Sequence, residues 1–396
     1  MSSGILNWSD NPYLLVGGQN GTWFRHGQAP RLFRIMLSNY SVTRLNPVSS
    51  QGTVWGGGWN GSQWLISGWG TEPGGKGSNP YIYLHDGRNQ IVAGSLKLYD
   101  SESSWHGGDV FAASYNGKRW LLSGLGSDAL PGVSKQAFNH MSLATFDGYN
   151  FTDLSALVPK QADAILYANA WNGKYWLVGG GYTRFRRILF TFDGNKTTDL
   201  TSRAVKSLPA FGPVQAIKWN GRYWLIGGIN FLASFDGRNF VDLTSGLSSL
   251  LGADFAVNAI AWDGYEWVLA GGSPIAQLIS ARAWVVTYSP FGFADLSSSL
   301  PSYVRLQSSS IFTIAFADSS WIFGGYSKLH GGMLLSYQDG MFRDLSQLAK
   351  DMNYVIWVGA GTLEESQQWN PNFTFAPSTL VPCLLNSCQD DKSRRP

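Results

Sequence analysis

The 396-residue chain lacks several things an ordinary soluble domain has. It holds two cysteines, Cys383 and Cys388, both close to the C-terminus, so no disulfide framework staples the body. Four residues separate them, which leaves two readings: a small disulfide loop, or two free thiols on a tail. A lone Cys-x4-Cys with no histidine beside it is a poor zinc signature. Glutamate occurs five times, and all charged residues together make 14% of the chain, against about 25% in a typical domain. Exposed helix faces are normally filled with Glu, Lys and Ala, so this shortage argues against long helices. No run of 18 apolar residues exists, so no helix spans a membrane. The start, Met1 to Trp8, has neither a basic stretch nor an apolar one, and no signal peptide is visible. A net charge of +3 is too small for a dedicated nucleic-acid binder. What the chain does have is glycine (47) and rings (18 Trp, 17 Tyr, 22 Phe). With 44% hydrophobic residues it can support a large core, which excludes disorder.

One pattern recurs along the body: Trp-Asn-Gly-x-x-Trp-Leu-Ile-Gly-Gly. It starts at Trp59, Tyr115, Trp171, Trp219 and Trp262, with degenerate copies at Trp8 and Phe316. Two aromatic residues stand five apart in all seven copies, and successive copies lie 43 to 56 residues apart. A second pattern, Phe-Asp-Gly-x-x-Phe-x-Asp-Leu-Ser, sits inside each period. Clear copies begin at Phe146, Phe192 and Phe235, and looser ones at Tyr288 and Tyr337. The ring residue precedes the second Asp by seven in each (Asp153, Asp199, Asp242, Asp295, Asp344).

Asn-Gly and Asp-Gly favour a type I′ turn, with positive φ at both central residues, and so a tight hairpin. The flanking residues alternate as strands do. Each repeat therefore reads as two hairpins in series, giving antiparallel strands A, B, C and D. Four-stranded sheets repeating at about 50 residues are the mark of a β-propeller. Seven repeats predict an all-β, seven-bladed propeller over residues 1 to 352, with blades starting near 4, 55, 110, 166, 213, 256 and 310. Residues 353 to 375 follow the last repeat, and Ile356 to Gly361 resemble a B strand. They are expected to close the ring; an eighth-blade remnant is the alternative. Residues 376 to 396 form a tail.

The Gly-Gly after the second strand, the period and the late-strand aromatic resemble kelch repeats. The (Thr/Ser)-Phe-Asp-Gly-x-x-Phe turns at Thr145, Thr191 and Ser234 are similar to the Asp-box of sialidase-type propellers, one residue short between Asp and Gly. The resemblance covers roughly residues 4 to 350 and implies a fold rather than an activity, because propellers host many functions.

Turns A–B and C–D lie at one end of a four-strand meander, and loops B–C and D–A at the other. The first end is built from near-identical turns. At the second, the distance from the second ring to the Asp of Phe-Asp-Gly runs from 12 residues (Trp224 to Asp236) to 27 (Trp120 to Asp147). Irregular loops on a rigid scaffold are where binding concentrates, so any site is expected there. Those loops carry Trp23, Arg25, His26, Trp69, Trp105, His106, His140, Arg184, Arg186, Arg187, Arg282 and His330. Trp23, Trp69 and Trp105 suit stacking on sugar faces or burial in a protein partner. The arginines suit carboxylate, sulfate or phosphate, with a solvated strand edge as the other reading. His26, His106, His140 and His330 come from different blades with no metal-ligand spacing, so no metal and no cofactor is expected.

A galactose-oxidase-like copper centre, which kelch architecture brings to mind, needs a cysteine crosslinked to tyrosine within the propeller, and both cysteines lie outside it. A sialidase needs a Glu partner from a pool of five. No Gly-x-Ser-x-Gly elbow and no phosphate loop is present. The expected function is non-catalytic recognition of a protein or glycan through the irregular face. The alternatives are a hydrolase or lyase using the Arg and His loops, and an intracellular kelch-type adaptor. Acceptor sequons stand at Asn7, Asn20, Asn39, Asn60, Asn150, Asn195 and Asn372, a mild excess. They favour an extracellular or virion surface; without a visible signal peptide, a cytoplasmic location is the other reading. An oligomer is compatible with all of these.

Overall fold

Alternating apolar residues and short turns sort the chain into strands from Tyr13 to Gly361. The structure is a computed structural model that describes residues 12–20, 29–45, 51–71, 78–85, 90–95, 107–127, 140–159, 165–183, 186–208, 211–272, 282–306, 308–317 and 319–361. Hydrogen bonding groups the strands into seven sheets, each of four antiparallel strands. Blade five shows the plan: Val214–Trp219, Trp224–Gly228, Phe231–Phe235 and Phe240–Asp242, in chain order across the sheet.

The innermost strands of blades two to seven are Gln51–Trp59, Gly107–Tyr115, Leu166–Trp171, Val214–Trp219, Ala256–Trp262 and Ser309–Ala317. Each lies against the next. Blade one is composite. Its inner strand is the C-terminal Tyr354–Gly361, paired antiparallel with Tyr13–Asn20, and it lies against the inner strands of blades seven and two. The two ends of the described chain thus share one sheet. The segment that reads as a B strand in sequence occupies the A position, because only the inner edge of Tyr13–Asn20 lacks a partner. The stretch near residue 4, expected to open blade one, lies outside the described residues.

Rings bind the sheets transversely. In blade five, Trp219 meets Trp224 at 4.3 Å between centroids, Trp224 meets Phe235 at 5.7 Å, and Phe235 meets Phe240 at 4.3 Å. These residues are cross-strand partners in register, so one ring per strand makes a row across the blade. Trp176, Trp224 and Trp267, the B-strand rings of blades four to six, are fully buried. Each contributes about 3 kcal/mol of burial or more, set against the cost of ordering the chain.

The Asp-Leu-Ser/Thr motif is a clasp. Asp199 Oδ1 accepts the Thr201 N–H at 2.8 Å, and Thr201 Oγ1 lies 3.1 Å from Leu189 N and 3.3 Å from Leu189 O. The same bonds recur at Ser155, Thr244, Ser297 and Ser346. The outermost strand is thereby tied to its neighbour where it ends. These repeated carboxylates serve the backbone.

The turns depart from the type I′ expectation. Gly61, Gly117, Gly173 and Gly221 have φ near +90 to +100°, but the asparagines before them do not have positive φ. A single positive φ at the first central residue matches the II′ pattern. The reason is the side chain. Asn60 Oδ1 accepts the N–H of Ser62 at 2.9 Å and of Gln63 at 2.7 Å, which holds Asn60 outside the turn centre. Asp147, Asp193, Asp236 and Asp263 do the same. Only Asp339-Gly340, with φ of 52° and 80° between paired Gln338 and Met341, has both positive values among the described residues.

Candidate functional site at the inner-strand bulges

Every inner strand carries one bulge, at the same place. Between Val54 and Gly56 the register with the neighbouring strand shifts, leaving Trp55 as the extra residue. The extra residues of blades three to seven are Phe111, Tyr167, Gln215, Asn258 and Phe312, and that of blade one is Ile356. In blades two to seven the bulge lies four residues before the aromatic at the hairpin end of the inner strand. It lies in the half of the strand that faces the irregular loops.

The glycine pair is the other half of this device. A Cβ on Gly180, Gly228, Gly271 or Gly325 would collide with the carbonyl oxygen of Ile165, Pro213, Ala256 or Ser310. Each carbonyl precedes the bulge residue by two. The bulge pushes the backbone into the neighbouring strand, and only glycine leaves room.

A bulge re-aims a side chain. The residues just before it, Val54, Val110, Leu166, Val214, Val257, Ile311 and Val355, are at most 1% exposed, packed between blades. The bulge residues of blades seven, one, two, three and four meet one another. Trp55 and Phe111 lie 5.2 Å apart between centroids, and Phe111 and Tyr167 lie 5.3 Å apart. Phe312, Ile356 and Trp55, from blades seven, one and two, share a cluster with Tyr326 and Tyr354. Gln215 and Asn258 hold the same register position in blades five and six. Asn258 Nδ2 donates to Ser310 Oγ at 3.1 Å and to the Ile311 carbonyl at 3.0 Å, fastening blade six to blade seven. Gln215 Oε1 is buried and accepts no hydrogen bond.

The ring is unequal. Asn258, Phe312 and Ile356 are 6 to 9% exposed. Trp55, Phe111, Tyr167 and Gln215, on four successive blades, are half-buried. Blades six, seven and one thus bury their bulge residues, while those of blades two to five are partly exposed. None of the seven side chains bears a charge.

Few of the residues expected from sequence to form a site can be placed. Trp23, Arg25, His26, Trp105, His106 and Arg184 lie outside the described residues, as do Cys383, Cys388, Asn7 and Asn372. Trp69, His140 and Arg186 are described in backbone only, paired with Pro80, Gly126 and Thr183. Arg187 has a structural bond: its guanidinium donates to the Phe211 carbonyl and sits 5.5 Å from that ring's centroid. Burial lowers its pKa from the ordinary arginine value. Arg282 is exposed just before the strand Trp284–Ser289. His330 packs edge-on against Tyr303 at 4.6 Å. Nearby, Leu306, Ser308, Lys328 and Leu329 line a shallow hollow of about 550 Å³. Among the described residues no three His, Cys, Asp or Glu side chains gather as a metal site. Nor is any helix among them long and apolar enough to cross a membrane.

Sequence reasoning passed over the bulge ring. The available signal was a position that changes chemistry (Trp, Phe, Tyr, Gln, Asn, Phe) inside a constant frame of Val, Leu or Ile before and a small residue after.

No family model matches the chain, and no curated protein does. Among solved structures it is similar to the β-propeller domain of the Trilobed protease from Pyrococcus furiosus. There the identity is 11% and the TM-score 0.47, covering 80% of this chain and 87% of that one. It is also similar to the extracellular domain of the one component system BT4673 from B. thetaiotaomicron, at 11% identity and a TM-score of 0.47. That match covers 76% of this chain and 34% of the other, so the chain spans about a third of it. These likenesses concern the propeller fold; kelch membership is not among them.

Proposed function

We propose that this propeller is a non-catalytic recognition module that binds a glycan or a protein through its irregular loop face. One observation carries the reading: the two ends of the ring are chemically unequal. At the regular end the polar side chains of the turns are consumed by backbone N–H groups, as at Asn60, Asn172 and Asp193. At the other end the connecting sequences differ from blade to blade, and the inner-strand bulges in that half of the sheets carry uncharged rings and amides. Rigid aromatic surface beside neutral hydrogen-bonding groups suits recognition.

A glycan array and a partner pull-down test it, each run on the wild type and on the combined Trp23→Ala, Trp69→Ala, Trp105→Ala variant. Binding by the wild type that the variant loses is the expected result. Unchanged binding removes the loop face from the reading. The same reading supports a surface location, because Asn39, Asn150 and Asn195 stand exposed on tight turns. Glycan mass on those peptides from natively produced protein is the expected outcome, and bare asparagines count against it.

A further inference from the structure

The hairpin end of the ring carries an uneven charge. In blades three to five the inner turns read Asn116-Gly117-Lys118-Arg119, Asn172-Gly173-Lys174-Tyr175 and Asn220-Gly221-Arg222-Tyr223. Each uses an asparagine where blade six uses Asp263, so Lys118, Arg119, Lys174 and Arg222 make an arc of four cations with no carboxylate in the same turns. All four residues are exposed. The bonds that fix these turns run from their backbone N–H groups to Asn116, Asn172 and Asn220, so the charged heads are not needed to hold the turns. The nearest acids of these blades, Asp147, Asp193 and Asp236, stand on the outer turns and accept N–H groups there.

Blade one has no inner turn. Its inner strand, Tyr354–Gly361, arrives at this same end, where Gly361 pairs with Tyr13. Counted from the bulge at Ile356, Gly361 holds the position that Asn116, Asn172 and Asn220 hold after Phe111, Tyr167 and Gln215. The chain therefore leaves the sheet at the level of the inner turns, and the next residues are Thr362-Leu363-Glu364-Glu365. Two of the five glutamates in the whole chain stand side by side there.

We infer that the segment beyond Gly361 crosses the hairpin end of the ring and seats Glu364 and Glu365 among Lys118, Arg119, Lys174 and Arg222, as a latch on the closing strand. The inference concerns the end opposite the recognition face and does not rest on the reading above.

Charge and reach select this occupant. Inner strands touch in blade order around the ring, which puts blades four and five across from blade one. Packed sheets lie about 10 Å apart, so seven of them make a ring about 20 Å across at most at the inner strands. Glu364 and Glu365 extend about 10 to 14 Å from Gly361, and the long Lys and Arg side chains cover the remainder. Of the turns beside the arc, that of blade two is neutral (Ser62, Gln63) and that of blade six acidic (Asp263, Glu266), so attraction directs the segment to blades three to five. A lone exposed ion pair contributes little, but two carboxylates among four cations form a network. Anchored there, the segment resists peeling of Tyr354–Gly361 from Tyr13–Asn20.

Carbodiimide, which couples a carboxylate directly to an adjacent amine, tests the contact on the full chain. Peptide mapping is expected to find Glu364 or Glu365 joined to Lys118 or Lys174 within one chain, and less of that product at high salt. Combined Glu364→Gln and Glu365→Gln removes the product and speeds amide exchange of Tyr354–Gly361 about threefold or more. Combined Lys174→Glu and Arg222→Glu speeds exchange likewise, and adding Glu364→Lys and Glu365→Lys to that pair restores it. Near-ultraviolet dichroism confirms that each variant is folded. Coupling of these glutamates only to other lysines, or only between two chains, overturns the inference. So does exchange of the closing strand that neither pair of substitutions changes.

Discussion

At the scale of single residues, the most constrained positions are the glycines opposite the bulges. Gly228 faces the Pro213 carbonyl, and a methyl group placed there meets both that oxygen and the Phe231 ring. Neither strand can move away without breaking the blade. Gly228→Ala is expected to cost about 3 kcal/mol of stability in denaturant titration, the upper range of overpacking effects. Gly221, in the turn of the same blade, has φ of +93° and open space around it. There an alanine is strained by conformation alone, and a loss of about 1 kcal/mol is expected. The two glycines look alike in sequence, and the comparison separates steric exclusion from backbone preference.

Among elements, the turn is the unit that repeats most faithfully, and it is also an electrostatic device. Backbone N–H groups three and two residues further on hold the carboxylates of Asp147, Asp193 and Asp236 below the usual aspartate pKa. A depressed folded pKa means the turn's contribution is complete above the unfolded value, about 3.9, and fades as pH falls through the folded value. Stability is therefore expected to drop below about pH 4. The chain itself suggests the control, because Asn60, Asn116, Asn172 and Asn220 make the same bonds without a titrating group. Replacing Asp147, Asp193 and Asp236 by Asn is expected to preserve the fold and flatten the acid limb of a melting-temperature profile. An unchanged acid limb would mean that these turns do not carry the acid sensitivity.

For the whole molecule, stability hangs on closure. The inner strand of blade one comes from the far end of the described chain, and Val355, Ile356, Trp357 and Val358 are all at least 91% buried, each being at most 9% exposed. Removing residues 354 to 396 strips the inner edge of Tyr13–Asn20 and unseals the ring between blades seven and two. Melting is expected to fall by about 10 °C or more, with loss of a single sharp transition. Supplying residues 350 to 364 as a separate peptide is expected to restore part of it by filling the vacant strand position. A truncated protein that melts like the full chain would mean that the ring does not depend on this strand.

The sequence by itself determined the architecture. Two ring residues five apart and an Asn-Gly or Asp-Gly between them can be satisfied only locally, within one hairpin, so repeats of that pattern are legible without any knowledge of what packs on what. Blade number, strand order within a blade and the inequality of the two ends follow from it. Tertiary structure alone decided the rest. A bulge is a register difference between two strands, and the direction of Trp55 or Gln215 depends on that register. The ring they form exists only once seven strands distant in sequence converge on one axis. Arg187 looked available beside Arg184 and Arg186, but the carbonyl that holds it comes from Phe211, at the threshold of the next blade. Local patterns fix what each segment becomes, while the site is a property of their meeting.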